Sequence, residues 1–142
     1  MGMSYGKFER IKEYREKERL LQMEVKTIEN NGKKIIVINS LEVIISDIAT
    51  ALDLVMSVQY EYDCFRIIIN KEAFKDDFFI LSTRLAGDII QKFVTYGIKM
   101  AIVGDYSKYT SKPLKDFMYE SNHGRDLFFV DTVDSGIQML SK

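Results

Sequence analysis

The residues of this chain that could do chemistry gather at two places. The first is Ser82-Thr83, which follows the bulky apolar run FFIL (78–81) and precedes apolar residues at Leu85, Ala86, Ile89, Ile90, Phe93 and Val94. That spacing is one face of an α-helix. The hydroxyl pair therefore stands where unpaired helix amides and the positive end of the helix dipole converge. A hydroxyl there serves as an N-cap, contributing about 1 kcal/mol. It also serves as a phospho-acceptor, because the same amides stabilise a phosphate. Thr83 and Ser82 are the phospho-acceptor candidates.

The second place is the loop holding Asp105, Tyr106, Lys108, Tyr109, Thr110, Ser111 and Lys112. It follows the apolar run Ile98–Val103 and leads into a helix with Pro113 near its first turn, where proline is tolerated. In a parallel sheet, ligands collect beyond the carboxyl ends of the strands. With Arg84, these residues would offer a surface for a small anion or for the acidic patch of a partner. The plainer reading is a solvated loop that caps a helix through Ser111. No Gly-x-Gly-x-x-Gly or Walker pattern is present.

Other chemical groups read as structural. His123, in an Asn-His-Gly turn, is placed to meet the last carbonyls of a helix. Cys64 lacks a neighbouring base or cation to activate it and reads as a buried structural thiol. Asp76-Asp77 and Glu61/Asp63 read as solvated charge beside lysines. No Cys/His cluster has metal-ligand spacing, so no catalytic residue, metal or cofactor is expected.

These residues need a frame, and the pattern of the chain predicts one. Val25–Glu29 and Lys33–Asn39 flank Asn30-Asn31-Gly32 as a hairpin. Ile44, Ile45, Ile48, Ala51, Leu52, Val55 and Met56 repeat at helical spacing, capped by Ser46 or Asp47, or by Ser40 if the helix starts early. Phe65–Ile69, Ile98–Val103 and Leu127–Val130 read as short strands. The helix after Thr83 stops at Gly97, and Asp131 or Thr132 caps a last helix carrying Val133, Ile137 and Leu140. The expected fold is α/β in the order ββαβαβαβα, a mostly parallel five-stranded sheet with four helices and an antiparallel first strand.

Residues 1–22 differ from this body. Lys7–Arg19 holds six basic and four acidic side chains, with i,i+4 pairs such as Lys12/Glu16 that support a charged helical arm. The division expected is a charged extension at 1–22 and one domain at 23–142, with Met23 as an alternative natural start. A net charge of −1 and 46% hydrophobic residues speak against a nucleic-acid binder, and no run is long enough to span a membrane. The lone cysteine and charged N-terminus fit a reducing cytoplasm.

The body resembles the STAS fold of anti-sigma-factor antagonists. It is more closely similar to a bacterial STAS-like family known as domain of unknown function 4180. The resemblance runs over about residues 23–141 in element order and is carried by LSTRLAGDIIQKF, KMAIVGDYSKYTSKPLKDF and LFFV. In anti-sigma-factor antagonists an Asp-Ser-Ser-Gly-Leu-Gly segment enters the second helix, and a kinase phosphorylates its second serine. That segment falls on Leu81-Ser82-Thr83-Arg84-Leu85-Ala86, so Thr83 takes the acceptor position, while Leu81 replaces the aspartate and Arg84 the glycine. The resemblance implies a non-catalytic cytoplasmic regulatory module that binds an unidentified protein partner and is controlled by phosphorylation. The alternative is a small anionic-ligand sensor or enzyme using the Asp105–Lys112 loop. A third is self-association through the arm or an exposed sheet edge.

Overall fold

A computed structural model describes residues 23–142. The expected helical arm at 1–22 lies outside the described residues. Strands β1 (Met23–Asn30) and β2 (Lys33–Ser40) form the hairpin, turning through Asn31 and Gly32, both at positive φ. There follow α1 (Ile48–Tyr62), β3 (Arg66–Asn70), α2 (Leu85–Thr95), β4 (Lys99–Val103), α3 (Lys112–Asn122), β5 (Leu127–Val130) and α4 (Val133–Leu140). The sheet is mixed and mostly parallel: the strands lie in sequence order, and among the described residues only the β1–β2 pair is antiparallel.

Placing consecutive parallel strands side by side sends every right-handed crossover to the same face. Accordingly, α1, α2 and α3 pack on one face, where Ile36, Ile67, Met100 and Phe129 meet Val55, Ile89 and Leu114. The alternate residues Ile35, Ile68, Ala101 and Phe128 face the other side, under α4 and its Leu140. A strand covered on both faces needs an unbroken apolar run, and β3 supplies Ile67-Ile68-Ile69, all fully buried. Helix α4 sits close because Gly136 faces Ile68 and Ala101, where a Cβ would come within 3.2–3.3 Å of their side chains.

The first helix begins at Ile48 with Asp47 as its cap, one of the expected cap residues, so Ile44 and Ile45 lie before it despite their helical spacing. Both of their amides donate to the Ala73 carbonyl while the Lys75 amide donates to the Ile45 carbonyl. Their apolar side chains are buried through this short extended contact rather than through a helix face. Asp47 starts the helix by accepting from the Thr50 amide at 2.8 Å, and the Thr50 hydroxyl accepts from the Asp47 amide. This reciprocal cap holds the Asp47 carboxyl below the usual carboxylate range,. Cys64 is buried, its thiol directed at the Lys34 and Arg66 carbonyls.

Candidate functional site

Both sequence-predicted regions leave the carboxyl ends of neighbouring strands. Ser82, Thr83 and Arg84 close the connection from β3 to α2, and Asp105–Ser111 form the connection from β4 to α3. Because β3 and β4 are parallel and in register from Arg66↔Lys99 to Asn70↔Val103, the two connections emerge on one rim.

The β3–α2 connection is built on aromatic burial. After three short helical turns, at Lys71–Ala73, Asp76–Phe79 and Leu81–Thr83, the chain enters α2. Phe74, Phe78 and Phe79 are buried beneath it and pack edge to face or tilted, with ring centroids 4.6–6.4 Å apart. Phe78 and Phe79 thereby seat the junction against the core.

The hydroxyl pair splits in two. Thr83 Oγ1 lies 2.7 Å from the Asp77 carbonyl and 2.8 Å from the Ile80 carbonyl, so its single hydrogen is committed backwards. The same oxygen accepts from the Leu85 amide at 3.3 Å. Ser82 is exposed and makes no side-chain hydrogen bond among the described residues. The cap position itself belongs to Arg84, an exposed residue at φ 65° whose side chain does not bond to the helix. Left-handed backbone disfavours any side chain with a Cβ, so the chain tolerates strain at this opening.

The β4–α3 connection is organised by short polar contacts. Asp105 accepts from the Ser107 amide at 2.9 Å. That bond, then the Ser107 hydroxyl, and more weakly the charges of Lys71 and Lys108, hold its carboxyl below the ordinary value,. Ser111 caps α3 by accepting from the Leu114 amide at 3.4 Å, and Pro113 occupies the first turn. Lys112 reaches Asp116 at 2.7 Å one turn on, which raises the lysine pKa through the hydrogen bond and the carboxylate charge. Lys108 and Thr110 are exposed.

Tyr106 and Tyr109 point inward. Tyr106 donates to the Ile102 carbonyl at 2.6 Å, and burial, with Tyr109 and Glu72 nearby, pushes its phenol well above the ordinary range. Tyr109 stacks on Phe79 with centroids 5.1 Å apart and planes 19° from parallel. Lys71 Nζ reaches the Tyr109 hydroxyl at 3.3 Å and stands 5.0 Å from its ring. Gly104 completes the joint: a Cβ there would sit 2.7 Å from Lys71 Cβ. The two connections are therefore one packed unit, joined by Phe79, Tyr109, Lys71 and Gly104. Exposed Ile80 crowns it.

Some residues that matter give no local sequence signal. The Asn122 side chain accepts from the Phe129 amide at 2.7 Å and donates to the Phe129 carbonyl at 3.2 Å. Asn70 does the same for the Ser40 backbone, with both bonds at 2.8 Å. Each asparagine replaces a missing strand partner, which only the fold reveals. Beside Asn122 an open groove of about 440 Å³ runs along Phe129, Asp131 and Ser135. His123 Nδ1 lies 2.8 Å from the Tyr119 carbonyl, as its turn position predicts. Among the described residues, no group of three or more His, Cys, Asp or Glu could hold a metal ion. Also among them, no helix is long and apolar enough to cross a membrane.

No curated protein and no solved structure matches this chain significantly. One family model does, over residues 30–140, a span holding the whole rim just described. By that match the chain belongs to the family described as domain of unknown function DUF4180.

Proposed function

We propose that this chain is a non-catalytic cytoplasmic regulatory module of the bacterial STAS-like type. It docks a partner protein on the rim formed by the β3–α2 and β4–α3 connections. Phosphorylation at Ser82 or Thr83 controls the docking. The observation that carries the reading is the joint between the two connections, because Phe79 stacked on Tyr109 makes a change at one opening felt at the other. The strand order and the single antiparallel edge favour the STAS-like assignment. So does the positive φ of Arg84, which stands where anti-sigma-factor antagonists carry glycine.

The two hydroxyls would act differently. Ser82 is the accessible acceptor. A partner kinase would move the γ-phosphoryl group of a nucleoside triphosphate onto its oxygen, take up the hydroxyl proton and release the diphosphate. The product adds about −1.5 to −2 charges to a rim that already carries Asp76 and Asp77. A phosphate on Thr83 would in addition abolish its donation to Asp77 and Ile80 and open the turn. The test is partner capture from native extract by wild type and by alanine and glutamate variants at Ser82 and Thr83. The glutamates are expected to shift capture relative to the alanines, and equal capture by all five proteins refutes control at this turn.

The rival reading, an anionic-ligand sensor using Arg84, Lys108 and Lys112, would have to draw Lys112 from Asp116 and Asp105 from Ser107. A thermal-shift screen of phosphorylated metabolites separates the two. A specific ligand at about 100 times its Kd would stabilise the fold by about 2.7 kcal/mol.

A further inference from the structure

The two edges of the sheet are finished differently. The β5 edge is only four residues long, and Asn122 occupies the outward amide and carbonyl of Phe129. The β1 edge runs for eight residues, Met23–Asn30, and among the described residues β2 is its one strand neighbour. Among the described residues, nothing bonds to its outer backbone. A row of unpaired amides and carbonyls of that length is a template for another strand.

The residues of β1 select the strand. We infer that β1 pairs antiparallel with β1 of a second copy, about a two-fold axis through Val25, to give one continuous sheet. Such an axis stands perpendicular to the sheet and keeps every side chain on its own face. Opposed residues must then have the same parity, and the two-fold centre falls on a residue. Met23 and Val25 share the face of α1–α3, whereas Glu24, Lys26 and Ile28 share the face of α4. Centring on Val25 sets Glu24 opposite the second copy's Lys26, and Lys26 opposite its Glu24. It also closes Val25 on Val25 and Met23 on Thr27. Centring on Lys26 opposes two lysines, and centring on Glu24 opposes two glutamates. Centring on Thr27 or Ile28 leaves Lys26 facing Ile28 or Asn30. Opposite charges meet only in the Val25 register, and cross-strand pairs of that kind favour one register over its neighbours. Five residues from each copy make a small contact, so the dimer belongs to the weak, reversible class.

Sedimentation velocity on the full chain, over a wide concentration series, tests the pairing. A monomer–dimer equilibrium is expected that weakens with added salt. Lys26→Glu should raise the dissociation constant about tenfold, and adding Glu24→Lys should return it near the wild-type value. Amide exchange gives a check free of variants: β1 amides should slow as concentration rises, while β5 amides stay unchanged. A monomer at every concentration overturns the inference, as it would if residues 1–22 closed the edge. A dimer indifferent to Lys26→Glu, or one that leaves β1 exchange unaltered, overturns it equally.

Discussion

The openings of α2 and α3 stand side by side on the rim, yet they are built by opposite means. Helix α3 opens with a serine cap, a proline in the first turn and an i,i+4 ion pair. Helix α2 opens without a side-chain cap, through a left-handed arginine, and its turn is fastened by Thr83 bonding backwards. What replaces the cap is burial, because three phenylalanines lie under the α2 approach. The comparison teaches that a helix can begin at a strained residue when the segment before it is anchored in the core. The better-capped opening then borrows stability from the strained one, since Tyr109 rests on Phe79.

If anchoring dominates, removing an anchor should be the most costly change. Phe79→Ala should destabilise the fold by about 3–5 kcal/mol, read from urea unfolding midpoints. Ser111→Ala, at the conventionally capped opening, should cost only about 1 kcal/mol. Similar losses for the two would erase the distinction drawn here. Gly104→Ala falls between them: its methyl must displace Lys71, and overpacking of this kind costs about 1–3 kcal/mol. Faster amide exchange at Tyr109, with the β5 amides unchanged, would place the damage at the joint.

Smaller effects sharpen the contrast at the α2 opening. Thr83→Val keeps the shape of the side chain but removes the hydroxyl bonds to the Asp77 and Ile80 carbonyls, which retain only the Ile80 and Thr83 amides, and this should cost about 1 kcal/mol. Arg84→Gly should leave stability unchanged or raise it by up to about 1 kcal/mol. Relief of the positive φ works against the extra freedom glycine brings to the unfolded chain. A marked loss on Arg84→Gly would mean that the arginine side chain holds the opening, contrary to the backbone account.

The smallest expected effect is on acid stability. The folded Asp105 carboxyl titrates below its unfolded value because it accepts the Ser107 amide. The ionised group therefore contributes stability above the unfolded pKa. That contribution is lost as pH falls through the lower folded value. Asp105→Asn should flatten this acid limb in melting curves taken below pH ~4, leaving the limb due to Asp47 in place.

Much of this contrast was open to reading in the sequence, and unevenly so. The α3 opening uses signals that are local in sequence, Ser111 followed by Pro113, so its cap could be read directly. The strands were legible for the same reason, as short β-branched runs between helical periods. The α2 opening was not. Its hydroxyls invite a capping role, whereas the geometry depends on Phe79 meeting Tyr109, thirty residues away in the chain. Ile44 and Ile45 illustrate the same limit, since their helical spacing concealed a pairing with Ala73–Lys75. Asn70 and Asn122 carried no pattern, because bonding to a distant backbone leaves no periodic trace.

A double-mutant cycle on Phe79 and Tyr109 tests the joint most directly. Phe79→Leu, Tyr109→Leu and the double variant would be compared by equilibrium unfolding of the full chain. The account predicts a coupling energy of about 0.5–1.5 kcal/mol, the range of a packed aromatic pair. Additive losses, with no coupling beyond error, would contradict it, because the two openings would then be neighbours without being one surface.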